Sequence, residues 1–333
     1  MKIIPLILLL MSSVAFGDAL FESDENINIT IHAPFDQMRD ERDKDILYPG
    51  KVIHEGDTYN IRLSVRGNKR LMKTTCKNPP LWLDFEKEQT RDTIFDHQKH
   101  VKLVVLCRGG KVDHDYLRAE YLVYKMYEMV TPVAFRVRWV NATYIEENGE
   151  SRSEPAFFIE RKSRLGKRVD MEKVDEQRID YADLHLDVAA IASLFNYVVA
   201  NPDFSLVSSM AGSCCHNSKL FLDSNGKYVP VLYDFDSSGV MATRYAVPNP
   251  SLKIKKVTDR IYRGYCKHNA NMPKARKIIL DAEGKYNSLI QNDPILSDKY
   301  KKKMTRFLSR SFAWVGDDAN YNSKIINKCR GET

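Results

Sequence analysis

Apolar and polar positions alternate through much of the first half of the chain. Between 59 and 65, Tyr59, Ile61, Leu63 and Val65 are interleaved with polar residues, the period of a half-buried strand. Arg66-Gly67-Asn68 then supplies a turn. Residues 81–85 and 101–107 are two further short apolar runs. Asp113-His114-Asp115 offers helix caps ahead of 116–130, where Leu117, Tyr121, Tyr124 and Tyr127 trace a helical stripe that Thr131-Pro132 ends. From 133 to 144 Phe135, Val137 and Trp139 alternate with Arg136 and Arg138, and 155–160 reads as another strand. The pattern up to residue 160 predicts an antiparallel sheet with one inserted helix.

Past that point the pattern changes. Residues 161–173 form a charge-rich connector and a candidate domain boundary. The segment 183–199 is apolar on nearly all sides, as expected of a buried helix, and Asn201-Pro202-Asp203 stops it. Runs 219–222 and 228–233 flank Asp223-Ser224-Asn225-Gly226, and Asn-Gly between apolar runs is a strong hairpin signal. After Gly239 the chain reads as irregular, then helical over 274–290 and 297–314.

The 333 residues are 43% hydrophobic and 29% charged, which excludes disordered, collagen-like and coiled-coil classes. The formal charge of +7 is unevenly spread. From Ser251 onward there are 19 Lys and Arg against 8 Asp and Glu; the earlier residues hold 32 against 36. A uniformly basic nucleic-acid binder is therefore not expected, and Lys301-Lys302-Lys303 reads as a solvated helix face.

The first residues fix the expected compartment. Met1-Lys2, the apolar run 3–11 and the small residues Ala15 and Gly17 make a signal peptide over 1–17, cut before Asp18. That run is shorter than the ~20 residues a membrane span needs, so a secreted or periplasmic protein without a span is expected. Six cysteines in an oxidising compartment favour disulfides over metal thiolates. Cys76 with Cys107 and Cys266 with Cys329 are the expected pairs, while Cys214-Cys215 is left open between a bridge of adjacent residues and separate partners. Asn28-Ile29-Thr30 and Asn141-Ala142-Thr143 fit glycosylation sequons.

The chemistry concentrates between 201 and 239. A loop with Asp203, then His216-Asn217, a tight hairpin and Asp234-Phe235-Asp236 give, in order, what phosphoryl transfer requires. One carboxylate orients an acceptor hydroxyl, while an amide and a second carboxylate hold Mg²⁺, which prefers hard oxygen ligands. Upstream, the Arg66-Gly67 turn is placed to cover phosphates. Lys102 is placed to reach them while pairing with Glu120, with Arg118 competing for that inward role.

These residues, together with Pro79-Pro80-Leu81, Leu117-Arg118, Phe157-Phe158-Ile159-Glu160 and Tyr233-Asp234-Phe235-Asp236, resemble the CotH family of secreted or spore-coat atypical protein kinases. The resemblance covers about 59–264. It implies an α+β, two-lobed protein-kinase-like fold: an antiparallel sheet lobe with one helix over 18–160 and a mainly helical lobe over 161–333. It further implies ATP with Mg²⁺ or Mn²⁺ and transfer to a protein hydroxyl. Asp203 would be the catalytic acid, Asn217 and Asp234 metal ligands, and Asp236 an additional ligand; Arg66, Gly67, Lys102 and Glu120 would hold the nucleotide. The expected protein is a monomer whose partner is a protein substrate or an envelope component. Two other readings remain. Trp82 and the single glycine of the phosphate turn fit an inactive binding protein of the same fold, and His216, Asp234 and Asp236 fit a metal-dependent hydrolase.

Overall fold

The computed structural model describes residues 18–209 and 214–331. The signal-peptide segment 1–17 lies outside them. Strands β1 (Ile27–His32), β2 (Tyr48–His54), β3 (Asp57–Val65), β4 (Leu81–Phe85) and β5 (Val101–Val105) form an antiparallel succession, with short helices α1 (Phe35–Glu41) and α2 (Lys87–Thr90) in its connections. The long helix α3 (Lys111–Glu128) precedes β6 (Val137–Ile145) and β7 (Ser151–Ile159). β7 pairs with both β5 and β6, and β6 then runs parallel to β1, from Ile27 beside Val140 to His32 beside Ile145.

That last pairing corrects the expected architecture. The sheet is a closed mixed barrel in the order β1-β2-β3-β4-β5-β7-β6, not the open antiparallel sheet of a two-lobed kinase-like fold. The physical reason is edge pairing. β1 and β2, which lie before the first strand expected from the pattern, give β6 a partner, so no row of unpaired backbone groups is left along the wall. Ile27, Ile29 and Ile31 point into the barrel with Leu63, Leu83 and Phe158. Gly50 permits the closure at β2, because a Cβ there would sit 2.4 Å from Leu63 Cδ1 and 2.6 Å from the His32 carbonyl oxygen.

Parts of β5 to β7 are apolar on both faces where α3 packs against their outer side. Val104, Trp139, Phe157 and Ile159 join a second core there. Tyr121 meets Trp139 at 5.4 Å between ring centroids, Tyr124 meets Phe235 at 4.9 Å, and Tyr127 meets Phe195 at 4.8 Å. The helix starts at Lys111, ahead of the expected caps. Asp113 instead pairs with Arg244, and Asp115 accepts hydrogen bonds from Ser297 N at 2.8 Å and Ser297 Oγ at 2.7 Å.

The second core continues through α4 (Lys162–Arg168), α5 (Leu186–Val198) and a small sheet of β8 (Glu172–Lys173), β9 (Ser218–Leu222) and β10 (Tyr228–Leu232). β9 and β10 form the hairpin that the Asn-Gly turn predicts, with Gly226 at φ +72°. The helix expected over 274–290 divides at Ala282 into α6 (Met272–Asp281) and α7 (Glu283–Gln291). Helices α8 (Asp298–Gly316), capped by Ser297, and α9 (Asp318–Lys324) complete the chain. Disulfides join Cys76 to Cys107 and Cys266 to Cys329, as expected, and Cys214 to Cys215. Among the described residues no helix is long and apolar enough to cross a membrane.

Candidate functional site

Because inward residues of β3 to β5 alternate with outward ones, Trp82 and Lys102 both emerge on the barrel's outer face, directly opposite one another in register. There they meet the residues that follow β3, the start of α4 and the β9–β10 hairpin, and enclose a cleft of about 580 Å³. Arg66, Lys102, Lys162 and Lys219 line it together with Trp82, His100 and Tyr233; Asp175 is its one lining carboxylate. Trp82 stacks on His100 with centroids 3.9 Å apart and planes 22° apart. The Lys102 ammonium lies 5.0 Å from the Tyr233 ring and 5.5 Å from Trp82, and the Arg66 guanidinium 5.4 Å from Trp82. Burial, reinforced by Arg66 and Lys219, pushes the Lys102 ammonium down to about 7. The cleft is a concave, partly aromatic surface with uncompensated positive charge. Gly67 stands at its rim at φ +94°, a left-handed conformation that suits glycine.

Asp234 follows Tyr233. Its N–H donates to Tyr124 Oη at 2.8 Å, and its φ of +64° places it in the left-handed region, as does the +50° of Asn217. Non-glycine residues are held there only where their surroundings over-determine them. Among the described residues the Asp234 carboxylate accepts no hydrogen bond. Burial, and then the neighbouring Asp236, push it up to about 7, while Arg66, Arg70 and Lys102 pull the other way. Asp236 accepts a hydrogen bond from Ser237 Oγ at 3.1 Å. Behind them Glu120, buried in α3, is raised to about 8 by burial.

Glu120 pairs with Arg70 at 3.4 Å, and Arg70 also donates to the Val105 carbonyl at 2.7 Å. The expected Lys102–Glu120 pair is thus not formed: α3 faces the end of β5, whereas Lys102 leans over the rings of Trp82 and Tyr233. Arg118 is committed elsewhere, with Nε and Nη2 on Asp293 at 2.8 and 2.7 Å.

The loop after α5 carries the third component. His216 Nε2 lies 2.9 Å from Asp203 Oδ1, and Asn217 Nδ2 donates to the Asp203 carbonyl at 2.7 Å and to Oδ2 at 3.4 Å. The His216 hydrogen bond holds the Asp203 carboxyl below its ordinary range, and the same contact raises His216. Tyr233 N–H donates to the Asn217 carbonyl at 3.2 Å, which ties this loop to the end of β10. Gly239 N–H donates to the Ala200 carbonyl at 2.7 Å and returns the Asp234-Phe235-Asp236 segment to the end of α5.

Asp203 and Asn217 therefore meet directly, while Arg66, Gly67 and Lys102 share the cleft beside Asp234. Among the described residues no three of His, Cys, Asp and Glu group as a metal cage, so His216, Asp234 and Asp236 are not one. The Asp234 carboxylate and the Asn217 amide oxygen, both hard oxygen donors, accept no hydrogen bond among the described residues. The pattern gives no signal for Arg70, Lys162 or Lys219 as site residues, and marks Tyr233 only as the first residue of the Tyr233-Asp234-Phe235-Asp236 motif. Their positions depend on barrel closure, and each alone reads as a surface cation or a core ring. No protein-family model matches the chain, and no curated protein matches it.

Proposed function

We propose that the protein binds a nucleoside triphosphate with Mg²⁺ or Mn²⁺ in this cleft and transfers its terminal phosphoryl group to a protein hydroxyl outside the cytosol. One observation carries the reading: a cleft with stacked rings, whose Arg66, Lys102 and Lys219 form no ion pair among the described residues, adjoins a carboxylate, Asp234, that accepts no hydrogen bond among them. Trp82 offers a face for the base, and Arg66, Lys102 and Lys219 meet the phosphate charge. Asp234 and the Asn217 oxygen would hold the divalent ion, which would supply charge neutralisation for the leaving group. Asp203, kept ionised and oriented by His216, takes the acceptor hydroxyl's proton as its oxygen bonds to the terminal phosphorus. The bridging P–O bond breaks, and its electron pair leaves with the nucleoside diphosphate.

The three disulfides, with the signal-peptide pattern, support a secreted or periplasmic setting. Transfer of labelled γ-phosphate from ATP to a protein acceptor tests the reading. Wild type should transfer and Asp203→Ala should lose at least about a hundredfold, the scale of general-base catalysis. Equal transfer by the two proteins would sink it. A second reading, binding of the same ligand without transfer, is favoured by Lys102 lying on aromatic rings rather than on Glu120. It expects saturable binding with no transfer by either protein.

A further inference from the structure

Part of the basic excess after Ser251 lines a single groove. Helix α8, the segment around 252–263 and the chain end after α9 enclose a groove of about 1080 Å³. Lys256, Arg263, Arg310, Lys324, Lys328 and Arg330 line it, and none of them forms an ion pair among the described residues. The one lining carboxylate, Asp259, already accepts from the backbone N–H groups of Lys255 and Lys256 at 2.8 and 2.9 Å. Arg260, also in this wall, is pushed down to about 10 by burial, with Tyr197 opposing and Arg310 adding a smaller part. The cations do not stand alone, because Leu252, Ile261, Phe307 and Trp314 form apolar parts of the same wall.

One end of this groove reaches the proposed transfer site. Arg263 donates to the Pro202 carbonyl, packs 5.6 Å from the centre of the Phe204 ring, and its charge lowers the Asp203 carboxyl between them.

We infer that this groove docks an acidic polypeptide segment, with interspersed apolar side chains, whose Ser or Thr is presented to Asp203. The inference rests on the transfer reading for the hydroxyl's fate, not for the docking itself. A bilayer needs a flat or convex face, and this surface is concave. A sulfated polysaccharide would use the cations but leave the apolar wall without a partner. A peptide carrying both Glu or Asp and Leu or Phe uses both.

Fluorescence anisotropy on the full chain tests this with a labelled peptide rich in Glu and Leu and containing one Ser. Its Lys-substituted counterpart, a sulfated polysaccharide and anionic phospholipid vesicles are the competing probes. The acidic peptide should bind, weaken with salt, and lose about tenfold or more in affinity in the double variant Arg310→Glu, Lys328→Glu. Lys285→Glu, the same kind of charge change on exposed α7 outside the groove, should leave affinity unchanged. Lys256→Glu is a single groove variant, expected to weaken binding by a smaller factor. Preference for the Lys-rich peptide would overturn the inference, as would binding indifferent to all groove variants, or binding of vesicles or polysaccharide without the peptide. The two claims separate cleanly. Peptide docking without phosphate transfer supports the groove and contradicts transfer; transfer to an acceptor that ignores the groove does the reverse.

Discussion

Lys102 is a cation held among other cations and between two aromatic rings, and this makes its proton labile. With its ammonium near 7 in the folded state and 10.5 ordinarily, the unfolded chain carries a proton here that the folded chain lacks between those values. Its contribution therefore makes stability rise with pH across that window and stay flat, at its lowest, below it. A bound polyphosphate reverses the preference by supplying negative charge. Binding one pH unit above 7 should accordingly take up a proton, read by calorimetry in buffers of different ionisation enthalpy. Uptake should fade at acidic pH, where Lys102 is already charged, and vanish in Lys102→Met. Uptake that persists in the variant would place the proton elsewhere.

At the scale of elements, closure of the barrel decides where the site residues stand. Gly50 lies in β2 between β1 and β3, so Gly50→Ala forces a Cβ against Leu63 and the His32 carbonyl. The expected cost is about 1–3 kcal/mol, the range for overpacking, measured as a lower urea midpoint with an unchanged slope. An unchanged midpoint would mean that the wall yields there at no cost. Local pattern disclosed the elements whose signal is local: α3 from its tyrosine stripe, α5 from its apolar surround, and the β9–β10 hairpin from Asn225-Gly226. The positions of Asn217 and Asp234 beside that hairpin, and of Asp203 just after the stop of α5, are local in the same way. Barrel closure was not legible. The parallel β1–β6 pairing joins segments more than a hundred residues apart, and Pro49-Gly50 interrupts the alternation of β2. The partner of Glu120 was equally hidden: Arg70 reaches it from a short turn after β3, a contact that only the tertiary fold creates.

For the molecule as a whole, two basic concavities, the cleft on the barrel wall and the groove behind α8, lie on either side of the Asp203 loop in the chain of contacts. The groove depends on the chain end, which the Cys266–Cys329 bridge ties across 63 residues to the segment carrying Arg263. Replacing both cysteines by alanine should cost about 2–5 kcal/mol by thermal or denaturant unfolding. Acidic-peptide binding should weaken while nucleotide binding persists. Loss of both together would show that the two concavities are not independent.

The central claim is that the barrel-wall cleft is a nucleotide site, and isothermal titration of ATP with Mg²⁺ into the full-length protein tests it most directly. One site per chain is predicted, with affinity reduced in Lys102→Ala and in Arg66→Ala, and with the Mg²⁺ dependence lost in Asp234→Ala. In Asp203→Ala binding should be retained. No binding heat with wild type across ATP and GTP, or equal binding by all four variants, would contradict the account.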